Sequence, residues 1–225
     1  TIHAEEAVYT FDLFYGSISI TSDTVTYYDS SSTEQTQSFL TGDELVITQT
    51  NSSSVASTAS VTVNGGTESA PLNITLSGVN IDSTACAFKL INTSNVILTL
   101  DDGTENTLIS SGYNAGLQVM SGTTLTINGN GSLDVTGGTN AAGIGGNGGS
   151  LGGAYSNGGN GGANGTLLIN SGNITVNGNI GGGNGGNALD KYESSDNNTW
   201  TYRGGNGGNG GSITIAGGTI QVTEN

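Results

Sequence analysis

Cations, cysteine, histidine and proline are almost missing from this sequence. Its 225 residues include three Lys or Arg, one His, one Pro and one Cys against 18 Asp or Glu, for a formal net charge of −15. Three cations cannot neutralise a run of phosphates, so a nucleic-acid-binding face is excluded. The single cysteine, Cys86, excludes a disulfide framework and a cysteine-rich metal site, and reads as a core residue. His3 stands alone near the start, so no Ser-His-Asp arrangement can form. No stretch approaches the ~18 apolar residues that a membrane span needs. Nor does a charged-then-apolar leader open the chain, which reads as a soluble, mature protein with no membrane insertion. Helix signals are scarce as well, because Ala, Leu, Glu and Lys are few.

What the chain does have is Gly, Thr, Asn and Ser, which supply 123 residues. Val, Ile and Leu sit among them in short alternating runs such as Leu98-Thr99-Leu100, Leu125-Thr126-Ile127, Leu133-Asp134-Val135 and Ile174-Thr175-Val176. An apolar-polar-apolar triplet sends two side chains to one face of a strand and one to the other. Strands this short cannot carry a sandwich. They suit a solenoid, in which strands from successive turns stack on one another.

The runs repeat. Residues 124–136, 166–177 and 212–223 align as three copies of a strand-turn-strand pair, and 73–82 has the same form. A third short segment follows each of the pairs at 74, 98, 125 and 167: Phe88–Leu90, Leu117–Val119, Ile144 and Ile180. The spacing predicts an all-β, single-stranded right-handed parallel β-helix with three strands per coil. Counted from Ile74 to Leu98, Leu125, Leu167 and Ile213, successive coils take 24, 27, 42 and 46 residues. The two longest coils carry insertions, at about 146–165 and 183–211. One inward column would hold Ile74, Leu76, Leu98, Leu100, Leu125, Ile127, Leu167, Ile169, Ile213 and Ile215. A second would hold Val79, Ile81, Leu108, Leu133, Val135, Ile174, Val176, Ile220 and Val222. The corner after the first strand reads Ser77, Asp101, Asn128, Asn170 and Ala216, a structural ladder before it is a site.

Residues 1–63 differ from the repeat that occupies 64–225. Tyr9, Phe11, Phe14, Tyr15, Tyr27 and Tyr28 place half of the Phe and Tyr residues before position 30. A solenoid has an open end that must be covered, so this segment is expected to be an N-terminal cap on one continuous domain. The alternative is a strand donated to a neighbouring subunit.

Glycine is localised, with 29 of the 40 lying between Gly137 and Gly218. Gly-Gly-Asn-Gly-Gly recurs at 145–149, 158–162, 182–186 and 204–208 with a period of three. Three is the period of the polyproline-II helix, and only glycine lets such helices come close enough to pair their backbones. A disordered linker is the competing reading. A phosphate loop is not, since the Gly-Lys-Ser/Thr signature is missing. One stretch, 187–203, interrupts the glycines and holds the only Trp and two of the three cations. Tyr192, Trp200, Tyr202 and Arg203 are residue types that build recognition surfaces, and sugars stack on flat rings. The same rings could instead pin the excursion to the solenoid wall.

Catalysis is not expected. Lys89, Lys191 and Arg203 are too scattered to supply a lyase base, and within the repeat Asp101-Asp102 is the one adjacent carboxylate pair. Asp101-Asp102-Gly103-Thr104-Glu105 reads first as a tight turn. Its alternative is a hard-cation site, with Asp101, Asp102 and Glu105 as oxygen ligands for Ca2+.

The runs 98–108 and 125–135 resemble the secreted bacterial carbohydrate-binding β-helix domains, which are related in fold to pectate lyases and include polygalacturonate binders. The resemblance covers about residues 60–225. It implies a non-catalytic extracellular or cell-surface module whose partner is a polysaccharide or surface glycan, with Ca2+ at Asp101, Asp102 and Glu105. A charge of −15 opposes direct binding of a polyanion. The glycine insertions are similar instead to the tips of phage tail-fibre adhesins. A second expectation belongs to another class: a subunit of a cell-surface fibre or appendage. It would assemble end to end through the aromatic N-terminal segment and the open coil around Ile220–Val222.

Overall fold

The computed structural model describes residues 6–153, 156–188, 192–193, 199–200 and 203–223, with 192–193 and 199–200 described through their backbone. The chain begins with β1 (Val8–Asp12), a 3-10 turn (Leu13–Tyr15) and β2 (Ile18–Ile20), then doubles back through β3 (Thr24–Tyr28) and β4 (Glu34–Ser38). From there it cycles. β5 (Glu44–Thr48) and β6 (Val61–Val63) precede two triplets: β7 (Leu72–Ser77), β8 (Asn80–Ser83), β9 (Phe88–Leu90), then β10 (Asn95–Leu100), β11 (Glu105–Ser110), β12 (Leu117–Val119). Two more follow: β13 (Thr124–Gly129), β14 (Ser132–Thr136), β15 (Ile144–Gly145), then β16 (Thr166–Ile169), β17 (Asn173–Asn177), β18 (Ile180–Gly181). A short pair, β19 (Tyr192–Glu193) and β20 (Thr199–Trp200), comes before β21 (Ser212–Ile215) and β22 (Thr219–Thr223).

Each member of a triplet enters a different sheet. The first sheet is ordered β1-β5-β7-β10-β13-β16-β21, the second β22-β17-β14-β11-β8 and the third β18-β15-β12-β9-β6-β2-β3-β4. Strand neighbours run parallel, as in β10–β13, β11–β14 and β12–β15, with antiparallel exceptions at β2–β3, β3–β4 and β19–β20. The described chain is therefore all-β, with parallel sheets and one 3-10 turn, an arrangement compatible with a parallel β-helix.

The repeat alignment needs one correction. Leu98 pairs with Ile127 and Val96 with Leu125, so the coil starting at β10 is two residues longer than the spacing from Leu98 to Leu125 suggests. A two-residue slip preserves which side chains face inward, which is why the periodicity could not detect it. The slip also splits the corner ladder. Ser77 Oγ donates to Asp101 Oδ2 at 2.6 Å, while Asn170 Nδ2 donates to Asn128 Oδ1 at 2.9 Å on the other side of the break.

The core is one cluster from Phe11 to Val176, built from the inward positions of all three sheets. A fully buried Leu or Ile contributes about 1.5–3 kcal/mol, and Leu45, Ile74, Leu98, Ile127, Leu133 and Ile169 are all fully buried. The inward columns do not stay closed to the end. Ile213, Ile215 and Val222 are 39%, 56% and 50% exposed, since β21 and β22 have a neighbouring strand on one side only. Cys86 is buried, and its thiol donates to the Ala115 carbonyl at 3.0 Å. Burial pushes this thiol from its ordinary 9.0 up to about 11, so it stays protonated.

Polar groups close the corners. Asn106 occupies an inward position of β11 and is buried. Its Oδ1 accepts from the Gly78 and Val79 amides at 3.0 and 3.1 Å, and its Nδ2 donates to the Ser132 carbonyl at 3.1 Å. Gln49 does the same work two coils earlier, accepting from Asn80 N at 2.9 Å and donating to Val55 O at 2.8 Å.

The aromatic N-terminal segment is part of the sheets themselves. β1 pairs with β5 in the first sheet, and β2 pairs with β6 in the third. β3 and β4 extend the third sheet beyond β2 as an antiparallel pair. Tyr27 on β3 meets Phe11 on β1 edge to face, with ring centroids 5.0 Å apart. Three excursions leave the coil between a strand of the third sheet and the next strand of the first: β3–β4, and the segments after β15 and β18.

Candidate functional site

The segments after β15 and β18 form two arms, each running out from the coil and returning to it. The outgoing run of the first arm bonds to that of the second: Gly146 N to Gly181 O, Gly149 N to Asn184 O and Gly152 N to Asn187 O, at 2.8, 2.7 and 2.8 Å. The returning runs pair likewise, Gly158 N to Arg203 O, Gly161 N to Asn206 O and Asn164 N to Asn209 O, at 2.9, 2.8 and 2.9 Å. Outgoing and returning runs are also cross-bonded, as in Gly183 N to Gly162 O (2.9 Å) and Gly208 N to Gly183 O (2.8 Å). The lateral bonds recur every three residues, so the segments pack as laterally bonded polyproline-II-type helices. Glycine is required by contact: a methyl on Gly146 would overlap the Gly162 carbonyl, and one on Gly186 the Ser150 carbonyl. The glycine segments are thus ordered arms, and the linker reading is set aside.

Tyr113 anchors the first arm to the coil. Its carbonyl accepts from Gly148 N at 2.8 Å and its hydroxyl from Leu151 N at 3.1 Å. Neither Tyr113 nor the exposed Leu151 stood out in the sequence, because an isolated residue in a corner leaves no periodic signal.

The outer end of the second arm carries the Trp-containing excursion. Tyr192 and Trp200 sit directly opposite each other across the antiparallel β19–β20 pair. Arg203 is exposed where the chain rejoins the arm; its amide donates to Asn157 Oδ1 at 2.8 Å and its carbonyl accepts from Gly158 N at 2.9 Å. Both backbone groups of Arg203 are therefore fixed to the first arm. Tyr202 lies outside the described residues. Of the four recognition residues expected, the structure brings the backbones of Tyr192 and Trp200 together and fixes that of Arg203.

Asp101, Asp102 and Glu105 take the turn geometry. Thr104 N donates to Asp101 O at 3.2 Å, and Gly103 has φ +72° at the turn position that favours glycine. Asp101 is engaged by Ser77 across the corner. Among the described residues no three His, Cys, Asp or Glu side chains gather as a metal site would need. The expected ligand set does not fit Ca2+ as it stands.

A groove of about 720 Å3 lies at the roots of the arms. It is lined by Gly137, Gly138, Thr139, Asn140, Ala141, Gly178, Asn179, Asn184 and Val222, with no ionisable or aromatic side chain among them. Asn140, at φ +61°, fixes its wall: its carbonyl accepts from Asn184 N at 2.6 Å, and its Nδ2 donates to Gly149 O at 3.1 Å. Asn179 Nδ2 donates to Gly182 O at 2.7 Å. Amides and peptide groups of this kind exchange hydrogen bonds with neutral hydroxyls, whereas a charged ligand would find no counter-charge.

The family described as carbohydrate-binding domain-containing protein matches residues 41–225, most of the chain. The chain belongs to that family. Neither the curated proteins nor the solved structures give a match. Membership in the carbohydrate-binding family supports a carbohydrate partner and covers β5 to β22, including both arms, the tip and the groove. β1 to β4 lie ahead of the matched region. Among the described residues no helix is long and apolar enough to cross a membrane.

Proposed function

We propose that this chain is a non-catalytic carbohydrate-binding module of the cell exterior, a right-handed parallel β-helix with three strands per coil, that takes its glycan at the tip of the second arm. The carrying observation is the family match over residues 41–225. The site follows from chemistry: the only Trp and two of the three cations fall in this excursion, and β19–β20 sets Tyr192 opposite Trp200. Aromatic rings supply large contact area at low entropic cost, and Arg203 adds hydrogen-bond donors. Tyr202 completes the proposed set.

A glycan array, followed by titration of the hits, tests this. Trp200→Ala should weaken binding by about tenfold or more, equivalent to ~1.4 kcal/mol, while Trp200→Phe retains most of it. Undiminished binding in Trp200→Ala moves the site away from the tip. Chelator should leave binding unchanged, because the Asp101, Asp102 and Glu105 carboxylates do not gather; loss of binding with chelator would bring the calcium reading back.

A second reading, suggested by the parallel stacking of the strands in the first two sheets, is end-to-end assembly into a fibre or appendage. Electron microscopy would show filaments, and a chain that stays monomeric at high concentration excludes them.

A further inference from the structure

The two arms keep a constant offset along each run and lose it only at their outer ends. Going out, Gly146, Gly149 and Gly152 bond to Gly181, Asn184 and Asn187, each 35 residues later. Coming back, Gly158, Gly161 and Asn164 bond to Arg203, Asn206 and Asn209, each 45 residues later. The second arm is therefore longer by 45 − 35 = 10 residues, and all of them fall between Asn187 and Arg203. In the same place the first arm makes a tight turn, in which Ser156 N donates to Gly153 O at 3.2 Å and Gly153 N to Ser156 Oγ at 2.7 Å.

The Trp-containing excursion is thus mounted on the first arm by both of its roots. At one root Gly152 N donates to Asn187 O at 2.8 Å. At the other Arg203 N donates to Asn157 Oδ1 at 2.8 Å, and Gly158 N to Arg203 O at 2.9 Å. A loop with fixed ends has less freedom to lose when a ligand orders it. Of these first-arm groups only Asn157 acts through its side chain. Asn157 is exposed, so that side chain contributes the bond to Arg203 and no burial. One step nearer the coil, the equally exposed Asn160 makes the same bond, its Oδ1 accepting from Asn206 N at 2.9 Å.

We propose that Asn157, on the first arm, is the positioning residue of the sugar site on the second. Through the Arg203 amide it sets how that guanidinium and the excursion before it are presented to a glycan. The inference rests on the tip reading of the site. Asn160 is its matched counterpart: the same residue type, the same bond and the same exposure, but no attachment to the excursion.

Three variants test this: Asn157→Ala, Asn160→Ala, and Asn157→Asp, which keeps an acceptor oxygen in place. Without any ligand, Asn157→Ala should speed exchange of the Arg203 amide by about fivefold or more, and Asn160→Ala that of Asn206. The two Ala variants should share one melting temperature. The binding probe is the oligosaccharide that the unmodified chain holds most tightly on the glycan array. Its dissociation constant should rise about fivefold in Asn157→Ala, and less than about twofold in Asn157→Asp and Asn160→Ala. Equal losses in the two Ala variants, or no rescue by Asp, would reduce Asn157 to a structural tie and overturn the proposal. Unchanged binding in Asn157→Ala, with binding lost in Trp200→Ala, would overturn it and leave the tip reading in place. Binding indifferent to Trp200→Ala would remove both.

Discussion

Asn106 shows what a single polar residue does inside an apolar stack. Its side chain satisfies the amides of Gly78 and Val79 one coil below and the Ser132 carbonyl one coil above. Replacing it with Ala would leave the buried Val79 amide and the part-buried Gly78 amide and Ser132 carbonyl without this partner, at a combined cost of about 2–4 kcal/mol once water reaches the part-buried groups. Asn106→Ala should therefore lose on the order of 2–4 kcal/mol in urea unfolding, far more than Asn130→Ala in an exposed turn. An unchanged midpoint would mean that water replaces the amide. This role was hidden in the sequence. Alternation assigns Asn106 to the inward side of its strand, but periodicity cannot say that an inward Asn ties two turns together.

The strands were legible at the scale of elements because inward Val, Ile and Leu alternate with Thr, Asn and Ser in nearly every coil. Their register was not, since Leu98 can meet Leu125 or Ile127 with the same faces buried, and only the backbone pairing decides for Ile127. The β3–β4 pair was missed as well, because Glu34–Ser38 is polar throughout and carries no apolar alternation. For the candidate site, the glycine period announced polyproline-II packing, while the Tyr113 anchor and the groove beside Asn140 had no linear signal. The arms make a sharp prediction. Gly186→Ala places a methyl against the Ser150 carbonyl, between the two outgoing runs. Amide exchange at Gly149, Gly183 and Gly208 should speed up by tenfold or more, roughly 1.4 kcal/mol of local opening. Protection in β10 and β13 should be unaffected. Unchanged exchange in the arms would show that the layers are looser than their contacts suggest.

The whole molecule works against its own charge. Three cations can pair with only three of 18 carboxylates, and most of the acidic residues crowd into the first 134 positions. Salt screens such repulsion within about 10 Å at 0.1 M. Raising ionic strength from low values should therefore increase the melting temperature, by on the order of 2–4 °C for each kcal/mol recovered. A melting temperature that falls with salt would mean that attractive pairs outweigh the repulsion.

The three excursions share one exit, between the third sheet and the first, and this has a consequence for reach. Along the arms, each three-residue step repeats the same lateral bond, so length can be added or removed in whole steps of about 9 Å while the coil beneath stays as it is. The corner thus acts as a ruler with fixed graduations. Adding or removing Gly-Gly-Asn units in both arms together would set how far the Trp200 tip stands from the body.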